Sequence, residues 1–441
     1  MKIVIVGGVA GGSTVASQIR RAVPESEITL FGRDPFFGYG TCGMPYVIGG
    51  LIEDKSKVAG PSPEKFAEKR DIIVRLEHDV LSIDRKAKIV FVRNMKTGVT
   101  FHEPYDKLVL SPGGYPKVPK LEGLGDLPLF TLKSYEQMEE ILDFISREKP
   151  TSCAVIGGGF IGIELAENFV HRGIETAVIL RGDRVMTVLD PELSDLLGTE
   201  MKENGVTLFP EDEIERVEGK RLIMKSGAAL EVDFIAATIG IELDTKLAND
   251  AGLEIGPTKA VSTNRYRQTD DPDIYVIGDA AEGVDWFTGK PKTVMLSWHA
   301  HRESYIVARH IAGKPIEMYG LLGTTITKLF SLTAGSTGHS AASLEDEGIE
   351  FSTSVYEGGT NAGYYFDHGW IHLRVHYDPA SRRILGAQAV GTKGVDKRID
   401  VIATAIMGNL TVDDLAALEL CYSPAYSSPK DPVNMVGYKA E

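Results

Sequence analysis

The stretch CAVIGGGFIG, residues 153–162, decides the fold of this 441-residue chain. Its apolar start predicts a strand buried in a parallel sheet, and Gly157, Gly159 and Gly162 follow with the spacing G-x-G-x-x-G. We predict a helix over residues 164–172 and another strand after it. In such a unit the glycines allow a tight turn, and backbone N–H groups approach a pyrophosphate at the helix N-terminus. The stretch therefore predicts a dinucleotide-binding fold.

A second unit of this kind opens the chain. An apolar strand over residues 3–6 precedes a glycine-rich turn, and we predict a helix over 13–22 and a strand over 27–31. The turn consists of Gly7, Gly8, Val9, Ala10, Gly11 and Gly12. Val9 stands at the third position of the fingerprint, where the motif has glycine, and Gly32 with Arg33 stands where an acidic residue usually holds a ribose. One fingerprint is weak evidence, but two in the same strand–turn–helix context predict two bound dinucleotides.

The residues after the strand at 176–180 bear on which nicotinamide nucleotide is used. An NAD site places a carboxylate at this strand end to bind the 2′-hydroxyl. Here Arg181 comes first and Asp183 follows it. A guanidinium can hold a 2′-phosphate, so we favour NADPH, with NADH possible. The alternative is that Arg181 is a solvated loop residue.

Two later stretches carry further candidates. A strand over 273–277 ends in Gly278-Asp279, and an aspartate at the carboxyl end of a parallel strand lies in the ligand crevice. The alternative is a turn-forming aspartate. A predicted helix over 296–311 carries His299 and His301, which lie two positions apart and share no helix face. We therefore predict no metal site.

The stretch GTCGMPY, residues 40–46, carries the candidate for redox chemistry. A cysteine followed by glycine, with a proline three residues on, predicts the opening of a short helix, where unpaired N–H groups and the helix dipole stabilise a thiolate. Cys42 would then be a nucleophile, whereas the bland alternative is a buried, inert cysteine. Cys153 lies inside a predicted strand and is interpreted as structural.

Composition and the lengths of apolar runs argue against several classes of protein. The net charge of −15 disfavours a general nucleic-acid binder. Three cysteines cannot build a disulfide framework, and we find neither a signal peptide nor an apolar run of about 18 residues. These features predict a cytoplasmic protein without a membrane span. From about residue 326 the pattern changes to α+β, which predicts a separate domain.

Together these motifs resemble the single-cysteine flavoprotein pyridine-nucleotide disulfide reductases, and among them the coenzyme A disulfide reductases. The resemblance covers essentially the whole chain, and the family also carries valine at the position of Val9. It implies an α/β fold of two Rossmann-like domains, for FAD and NAD(P), and a C-terminal α+β dimerisation domain. The expected boundaries are 1–112 with 243–322 for FAD, 113–242 for NAD(P), and 323–441 for dimerisation.

The resemblance also implies roles for particular residues. Cys42 would be the redox nucleophile, and Tyr364 and Tyr422 would be catalytic tyrosines that reach across from the other subunit of a homodimer. Coenzyme A disulfide would be the substrate, held by Thr14, Gln18, Arg21, Thr41, Arg70, His301 and Lys430. The family's Ser-Phe-x-Asn-Cys pattern is altered here, since Gly38 and Thr41 replace the serine and the asparagine.

In the implied mechanism NADPH reduces FAD, and a mixed disulfide between Cys42 and coenzyme A is then cleaved. The chain lacks Cys-x-x-Cys and Cys-x4-Cys, so an internal dithiol is not predicted. One alternative is an NAD(P)H oxidase or peroxidase that cycles Cys42 through sulfenic acid, although such enzymes carry histidine where this chain has Ala10. Others are a persulfide or polysulfide reductase, which usually has an appended rhodanese domain, and a non-catalytic flavoprotein of electron transfer.

Overall fold

The computed structural model describes residues 1–440. Up to residue 110 the elements are β1 (Lys2–Val6), α1 (Ala10–Ala22), β2 (Glu27–Phe31), α2 (Met44–Gly49), α3 (Pro63–Arg70), β3 (Ile73–Arg75), β4 (His78–Asp84), β5 (Ile89–Asn94), β6 (Thr100–Pro104) and β7 (Lys107–Leu110). Up to residue 243 they are β8 (Gly114–Pro116), β9 (Leu129–Phe130), α4 (Tyr135–Glu148), β10 (Ser152–Ile156), α5 (Phe160–His171), β11 (Glu175–Ile179), α6 (Pro191–Glu203), β12 (Thr207–Phe209), β13 (Ile214–Glu218), β14 (Arg221–Met224), β15 (Ala229–Glu231), β16 (Phe234–Ala237) and β17 (Ile241–Leu243).

The remaining elements follow in two groups. Up to residue 311 they are α7 (Lys246–Asp250), β18 (Val261–Ser262), β19 (Ile274–Val276), β20 (Ala281–Val284), β21 (Pro291–Lys292) and α8 (Ser297–Ile311). Beyond it they are β22 (Thr325–Leu329), β23 (Leu332–Gly338), α9 (Ala341–Glu347), β24 (Ser352–Gly359), β25 (Trp370–Tyr377), β26 (Ile384–Gly391), α10 (Val395–Met407), α11 (Val412–Ala417) and α12 (Pro432–Lys439).

The first parallel sheet has the strand order β19-β7-β1-β2-β3. Its central strand β1 is apolar because both of its faces are covered. Ile3 and Ile5 pack with residues of α1 and α8, including Val15 and Val307. Val4 faces the opposite way and packs with the small antiparallel sheet of β4, β5 and β6. The amino-terminal glycine turn lies at the carboxyl end of this central strand.

The second parallel sheet repeats the design, with the order β12-β11-β10-β16-β9. Cys153 and Val155 of β10 pack with apolar side chains of α4 and α5, whereas Ala154 faces the antiparallel sheet of β13, β14 and β15. β8 and β17 pair antiparallel, with Gly114 opposite Leu243, where the chain enters and leaves this unit. The two dinucleotide folds are therefore joined by a two-stranded connection.

The last sheet is antiparallel, with the order β22-β23-β26-β25-β24. Leu373 and Val375 pack on Ile399 of α10 and Val433 of α12, which forms a core of its own. Such a core fits the predicted change to a separate α+β unit.

The helices after both glycine turns begin earlier than the sequence predicted. α1 begins at Ala10 rather than at residue 13, and α5 begins at Phe160 rather than at residue 164. The last glycine of each turn belongs to the first helical turn and packs on the backbone of the first glycine. A Cβ on Gly12 would lie 1.8 Å from the carbonyl oxygen of Gly7, and one on Gly162 would lie 2.1 Å from that of Gly157. These prediction errors arose because glycine was taken as loop rather than helix.

Candidate active site

A cavity of about 1630 Å³ lies where the two dinucleotide folds and the C-terminal unit meet. Eleven of the predicted site residues line it: Gly7, Gly8, Val9, Ala10, Gly11, Arg33, Thr41, Cys42, Gly159, Gly278 and Asp279. The cavity therefore unites both glycine turns with the candidate nucleophile.

The amino-terminal glycine turn forms a cradle that only a small backbone permits. Gly7 has φ +110, and a Cβ there would lie 2.1 Å from the carbonyl oxygen of Ser111. The N-cap of α1 is Val9, which provides no side-chain hydrogen bond, so the first N–H groups of the helix are left for a ligand. This arrangement fits the pyrophosphate of FAD.

The second glycine turn has the same properties. The N-cap of α5 is Gly159, again without a side-chain cap, and a Cβ there would meet nothing within 4 Å. Gly157 and Gly162 do not line the cavity. They pack against each other and against Thr238. This turn fits a nicotinamide nucleotide, and Arg181 lies exposed just beyond the end of the neighbouring strand β11.

Ion pairs distinguish Arg181 from its neighbour Arg184. Arg184 bonds Asp183 and also Asp195, the latter at 2.7 Å between Nε and Oδ1. Among the described residues no ion pair occupies Arg181. Its guanidinium is therefore available to bind the 2′-phosphate of a nucleotide.

Asp279 lies at the carboxyl end of β19, as the sequence predicted. It also forms part of a single 3₁₀ turn, so the turn-forming interpretation holds as well. Its carboxylate pairs with Lys133 Nζ at 2.8 Å and lines the cavity. Arg33 lies at the cavity edge, where its guanidinium bonds Tyr115 and pairs with Asp79 at 3.2 Å.

Cys42 is exposed, so the alternative of a buried cysteine is wrong. The prediction that it opens a helix needs a correction, because Thr41–Gly43 form a 3₁₀ turn and α2 begins only at Met44. The physical reason is Pro45, which is favoured in the first turn of a helix, so that α2 begins beside it rather than at Cys42. Cys42 Sγ lies 3.7 Å from the Ser297 hydroxyl, at the start of α8.

Sequence reasoning missed Ser297 and also Glu164. Glu164 lines the cavity beside Phe160, and its Oε1 accepts a hydrogen bond of 2.9 Å from the Thr327 hydroxyl. Burial raises the pKa of Glu164 to about 7. Its position two residues after the last glycine of the fingerprint was the available signal, but burial cannot be read from that spacing.

Five of the residues that the resemblance assigned to coenzyme A lie around α1. The Thr14 hydroxyl hydrogen-bonds His301 Nδ1 of α8 at 2.7 Å. Gln18 and Arg21 follow Thr14 on the same helix at spacings that share a face. Arg70 ends α3 beside them, where its carbonyl accepts a hydrogen bond from α1. Lys430 lies elsewhere, 6.0 Å from the centre of the Tyr438 ring.

Tyr364 and Tyr422 are brought together, but they do not line the cavity that contains Cys42. Their hydroxyls lie 3.2 Å apart, and the side chains are 78% and 49% exposed. The hydrogen bond to Tyr364 raises the pKa of Tyr422. Within one chain the tyrosine pair and the thiol thus remain separate.

The remaining points concern Cys153, metal-binding clusters and membrane-spanning helices. Cys153 is buried in β10, and burial raises the pKa of its thiol to about 12. Within residues 1–440 no cluster of His, Cys, Asp or Glu could hold a metal ion. No helix in the same span has the length and apolar character needed to cross a membrane.

Comparisons with known proteins extend these findings. Residues 1–304 match the family described as pyridine nucleotide-disulphide oxidoreductase, and residues 324–431 match its dimerisation domain. The coenzyme A disulfide reductase of Staphylococcus aureus (strain MRSA252) is 37% identical over 441 residues, which is 100% of both chains.

Two solved structures are similar throughout. The crystal structure of reduced Bacillus anthracis CoADR-RHD has a TM-score of 0.97 at 39% identity, covering 100% of this chain and 80% of that one. The NAD-dependent persulfide reductase from A. fulgidus has a TM-score of 0.95 at 33% identity, covering 99% and 82%. These likenesses confirm the predicted fold class, two Rossmann-like domains followed by a dimerisation domain.

Proposed function

Because the chain belongs to the pyridine nucleotide-disulphide oxidoreductase family, whose members use FAD and NAD(P)H, we propose that it reduces coenzyme A disulfide to two coenzyme A thiols. The observation that carries this proposal is the exposed thiol of Cys42 in the cavity that both glycine turns line. Cys153 is buried and Cys421 does not line that cavity. The second sulfur of the reacting disulfide must therefore come from the substrate.

The chain's own residues divide the work of binding. The turn at 7–12, Arg33 and the Gly278-Asp279 turn would hold FAD, and the turn at 157–162 with Arg181 would hold NADPH. When bound, FAD supplies the electron pair that NADPH gives up as a hydride. We divide the chain accordingly into an FAD domain (1–112 and 243–322), an NAD(P) domain (113–242) and a dimerisation domain (323–441).

Cys42 performs the exchange with the substrate. Its thiolate attacks one sulfur of coenzyme A disulfide, which forms a mixed disulfide and releases one coenzyme A thiolate. Two electrons then cleave the mixed disulfide, which restores the Cys42 thiolate and releases the second coenzyme A thiolate. Each released thiolate takes up one proton.

The substrate surface lies along α1, next to the cavity. Arg21 and Arg70 suit a ligand that carries a 3′-phosphate and a pyrophosphate, and the Thr14–His301 pair and Gln18 add polar contacts. Thr41 precedes the nucleophile and lines the cavity with it. Lys430 would join this surface from a second subunit.

The separation of Tyr364 and Tyr422 from Cys42 supports completion of the site by a second subunit. The chain contains the family's dimerisation domain, and both tyrosines lie exposed on it. In the proposed homodimer, Tyr364 and Tyr422 of the partner subunit lie beside Cys42. A phenol there can protonate the departing thiolate.

A persulfide reductase is the second candidate, because the persulfide reductase from A. fulgidus matches over 99% of this chain. The oxidase alternative is weaker, since Ala10 lines the cavity where those enzymes carry histidine.

The intact mass of the purified protein, before and after dithiothreitol, tests the proposal. We expect an adduct of coenzyme A mass on Cys42, absent from Cys42→Ser and retained in Cys421→Ser, which removes the other exposed thiol. NADPH oxidation should then require coenzyme A disulfide. A gain of one oxygen on Cys42 would support the oxidase, and turnover only with persulfides would support the second candidate.

A further inference from the structure

His299 is a buried histidine of α8 whose ring nitrogens have no hydrogen-bond partner within residues 1–440. It is 2% exposed and lines the large cavity. Neither Nδ1 nor Nε2 has a hydrogen-bond partner among the described residues. Buried polar side chains are nearly always paired, so a partner from outside the chain is needed.

The other two histidines of α8 each have a hydrogen-bond partner within the protein. His301 Nδ1 hydrogen-bonds Thr14, and His310 Nδ1 hydrogen-bonds the Tyr275 hydroxyl at 2.9 Å. His299 instead lies against the indole of Trp298, with 3.8 Å between ring centroids. The indole thus restricts how far the ring can turn in search of a partner.

The charge around His299 fixes its protonation state. Burial and the positive charges of Arg267, Arg302 and Lys292 lower its pKa to about 3. The ring is therefore neutral in the physiological range, with one N–H donor and one nitrogen acceptor. A phosphate offers acceptors only, whereas a flavin and its ribityl chain offer both donors and acceptors.

The position of α8 associates His299 with the FAD part of the cavity. The Ser304 hydroxyl donates to the carbonyl of Gly11 at 3.2 Å, which attaches the helix to the first glycine turn. A Cβ on Gly278 would lie 3.5 Å from Cβ of Ala300, the residue after His299. Helix α8 therefore contacts two of the three segments proposed to hold FAD, and His299 lines the same cavity as those segments.

We propose that His299 is an FAD-binding residue that donates one hydrogen bond to the cofactor and accepts another. The inference rests on the FAD site of the proposed function. It assigns a contact that the glycine turns and the Gly278-Asp279 turn do not provide. It also explains why a neutral ring with two unpaired nitrogens faces this cavity.

The test compares His299→Phe, which keeps an aromatic ring and removes both nitrogens, with His310→Phe on the same helix. FAD is removed, and each apoprotein is titrated with FAD while flavin fluorescence and melting temperature are recorded. For His299→Phe we expect the FAD dissociation constant to rise about tenfold or more. Its apoprotein should melt no lower than wild type, because an unpaired polar group has been replaced by an apolar one.

His310→Phe should show the opposite pattern, with a less stable apoprotein and unchanged FAD affinity. His299→Asn, which retains a donor and an acceptor, should bind FAD with intermediate affinity, and it replaces the phenylalanine variant if that one does not fold. A wild-type dissociation constant in His299→Phe, or a loss of NADPH affinity alone, overturns the inference while leaving the proposed function intact. A wild-type apoprotein that does not take up FAD overturns both.

Discussion

The hydroxyl groups of Tyr364 and Tyr422 lie 3.2 Å apart, although 58 positions separate the two residues in the sequence. The loops that carry them are held together by Asn361, whose side-chain amide donates to the carbonyl of Pro424 at 3.2 Å. An exposed pair fixed in this way has no role in the core of its own subunit. It is suited to enter a site on another one.

Complementation between two inactive variants tests that arrangement. Cys42→Ser lacks the nucleophile, and the double variant Tyr364→Phe/Tyr422→Phe lacks both hydroxyls. If the tyrosines act across the interface, a mixed dimer contains one intact site, so co-expression should restore about a quarter of wild-type activity. Coenzyme A disulfide-dependent NADPH oxidation measures it.

The control is the same pair of variants mixed after separate purification, under conditions in which subunits do not exchange. That mixture should stay inactive. Activity of the co-expressed pair no higher than that of each variant alone would place all three residues in one subunit.

The Thr14–His301 hydrogen bond leads to a prediction about substrate affinity. His301→Ala removes a side chain from the proposed coenzyme A surface and leaves the cavity around Cys42 intact. We expect KM for coenzyme A disulfide to rise roughly tenfold with little change in kcat, because the lost contact stabilises bound substrate and transition state equally. Arg309→Ala, on the same helix but bonded to the carbonyl of Lys314, is the matched control and should keep the wild-type KM.

Arg181 governs nucleotide choice in the proposed function. Replacing it by glutamate removes the cation for the 2′-phosphate and introduces repulsion. The value of kcat/KM for NADPH should fall at least tenfold, whereas that for NADH should be retained. Arg184→Gln is the control, because Arg184 is already engaged by Asp183 and Asp195. If kcat/KM for NADPH were the same in Arg181→Glu and wild type, Arg181 would be a solvated loop residue without a role in nucleotide binding.

The fold could be predicted because its determinants are local. Gly7 and Gly157 impose backbone turns that few other residues tolerate, and buried parallel strands next to them give unbroken apolar runs. The first residues of the two helices were harder to predict, because Gly12 and Gly162 belong both to the glycine turn and to the first turn of the helix.

The site was predicted only where a motif or the family resemblance marked it. Cys42 and Asp279 have local signatures, but Ser297 approaches Cys42 from 255 positions away, and the effect of Glu164 depends on burial. His299 was considered only as a possible metal ligand. The lack of a hydrogen-bond partner for its ring among the described residues is a property of tertiary packing, which spacing along the chain cannot disclose.

Asp190 connects the NAD(P) fold to the last sheet, and its removal should destabilise the protein. One carboxylate oxygen lies 2.9 Å from Arg374 Nε and 3.0 Å from His376 Nε2, and the other accepts from Gln388 at 3.0 Å. Burial alone would raise the pKa of Asp190, but His376 and Arg374 lower it to about 2. Asp190→Ala leaves buried cationic and polar groups unpaired, so we expect a loss of about 3–5 kcal/mol in urea unfolding.

The matched control is Glu192→Gln, which breaks the pair between Arg374 Nη1 and an exposed carboxylate. That change should cost less than about 1 kcal/mol. Equal losses in the two variants would show that the buried network does not hold the units together.

Glu164 should give the protein a pH-dependent stability around neutrality. Burial raises its pKa from 4.5 to about 7, so the folded state keeps a proton that the unfolded state releases. Between these two values the folded state binds more protons, and the free energy of unfolding therefore falls as pH rises. The contribution is up to about 3 kcal/mol and is complete above pH 7.

Glu164→Gln removes this dependence, because the amide does not titrate and can still accept the hydrogen bond from Thr327. Melting temperatures of wild type and variant, recorded without nucleotide from pH 5 to pH 8, should converge at the acid end. The variant should become the more stable protein as pH rises. Thr327→Val serves as the control, since it removes the hydrogen bond that partly opposes burial and should make the wild-type slope extend to higher pH. Parallel curves for wild type and Glu164→Gln would mean that this carboxylate titrates in its ordinary range.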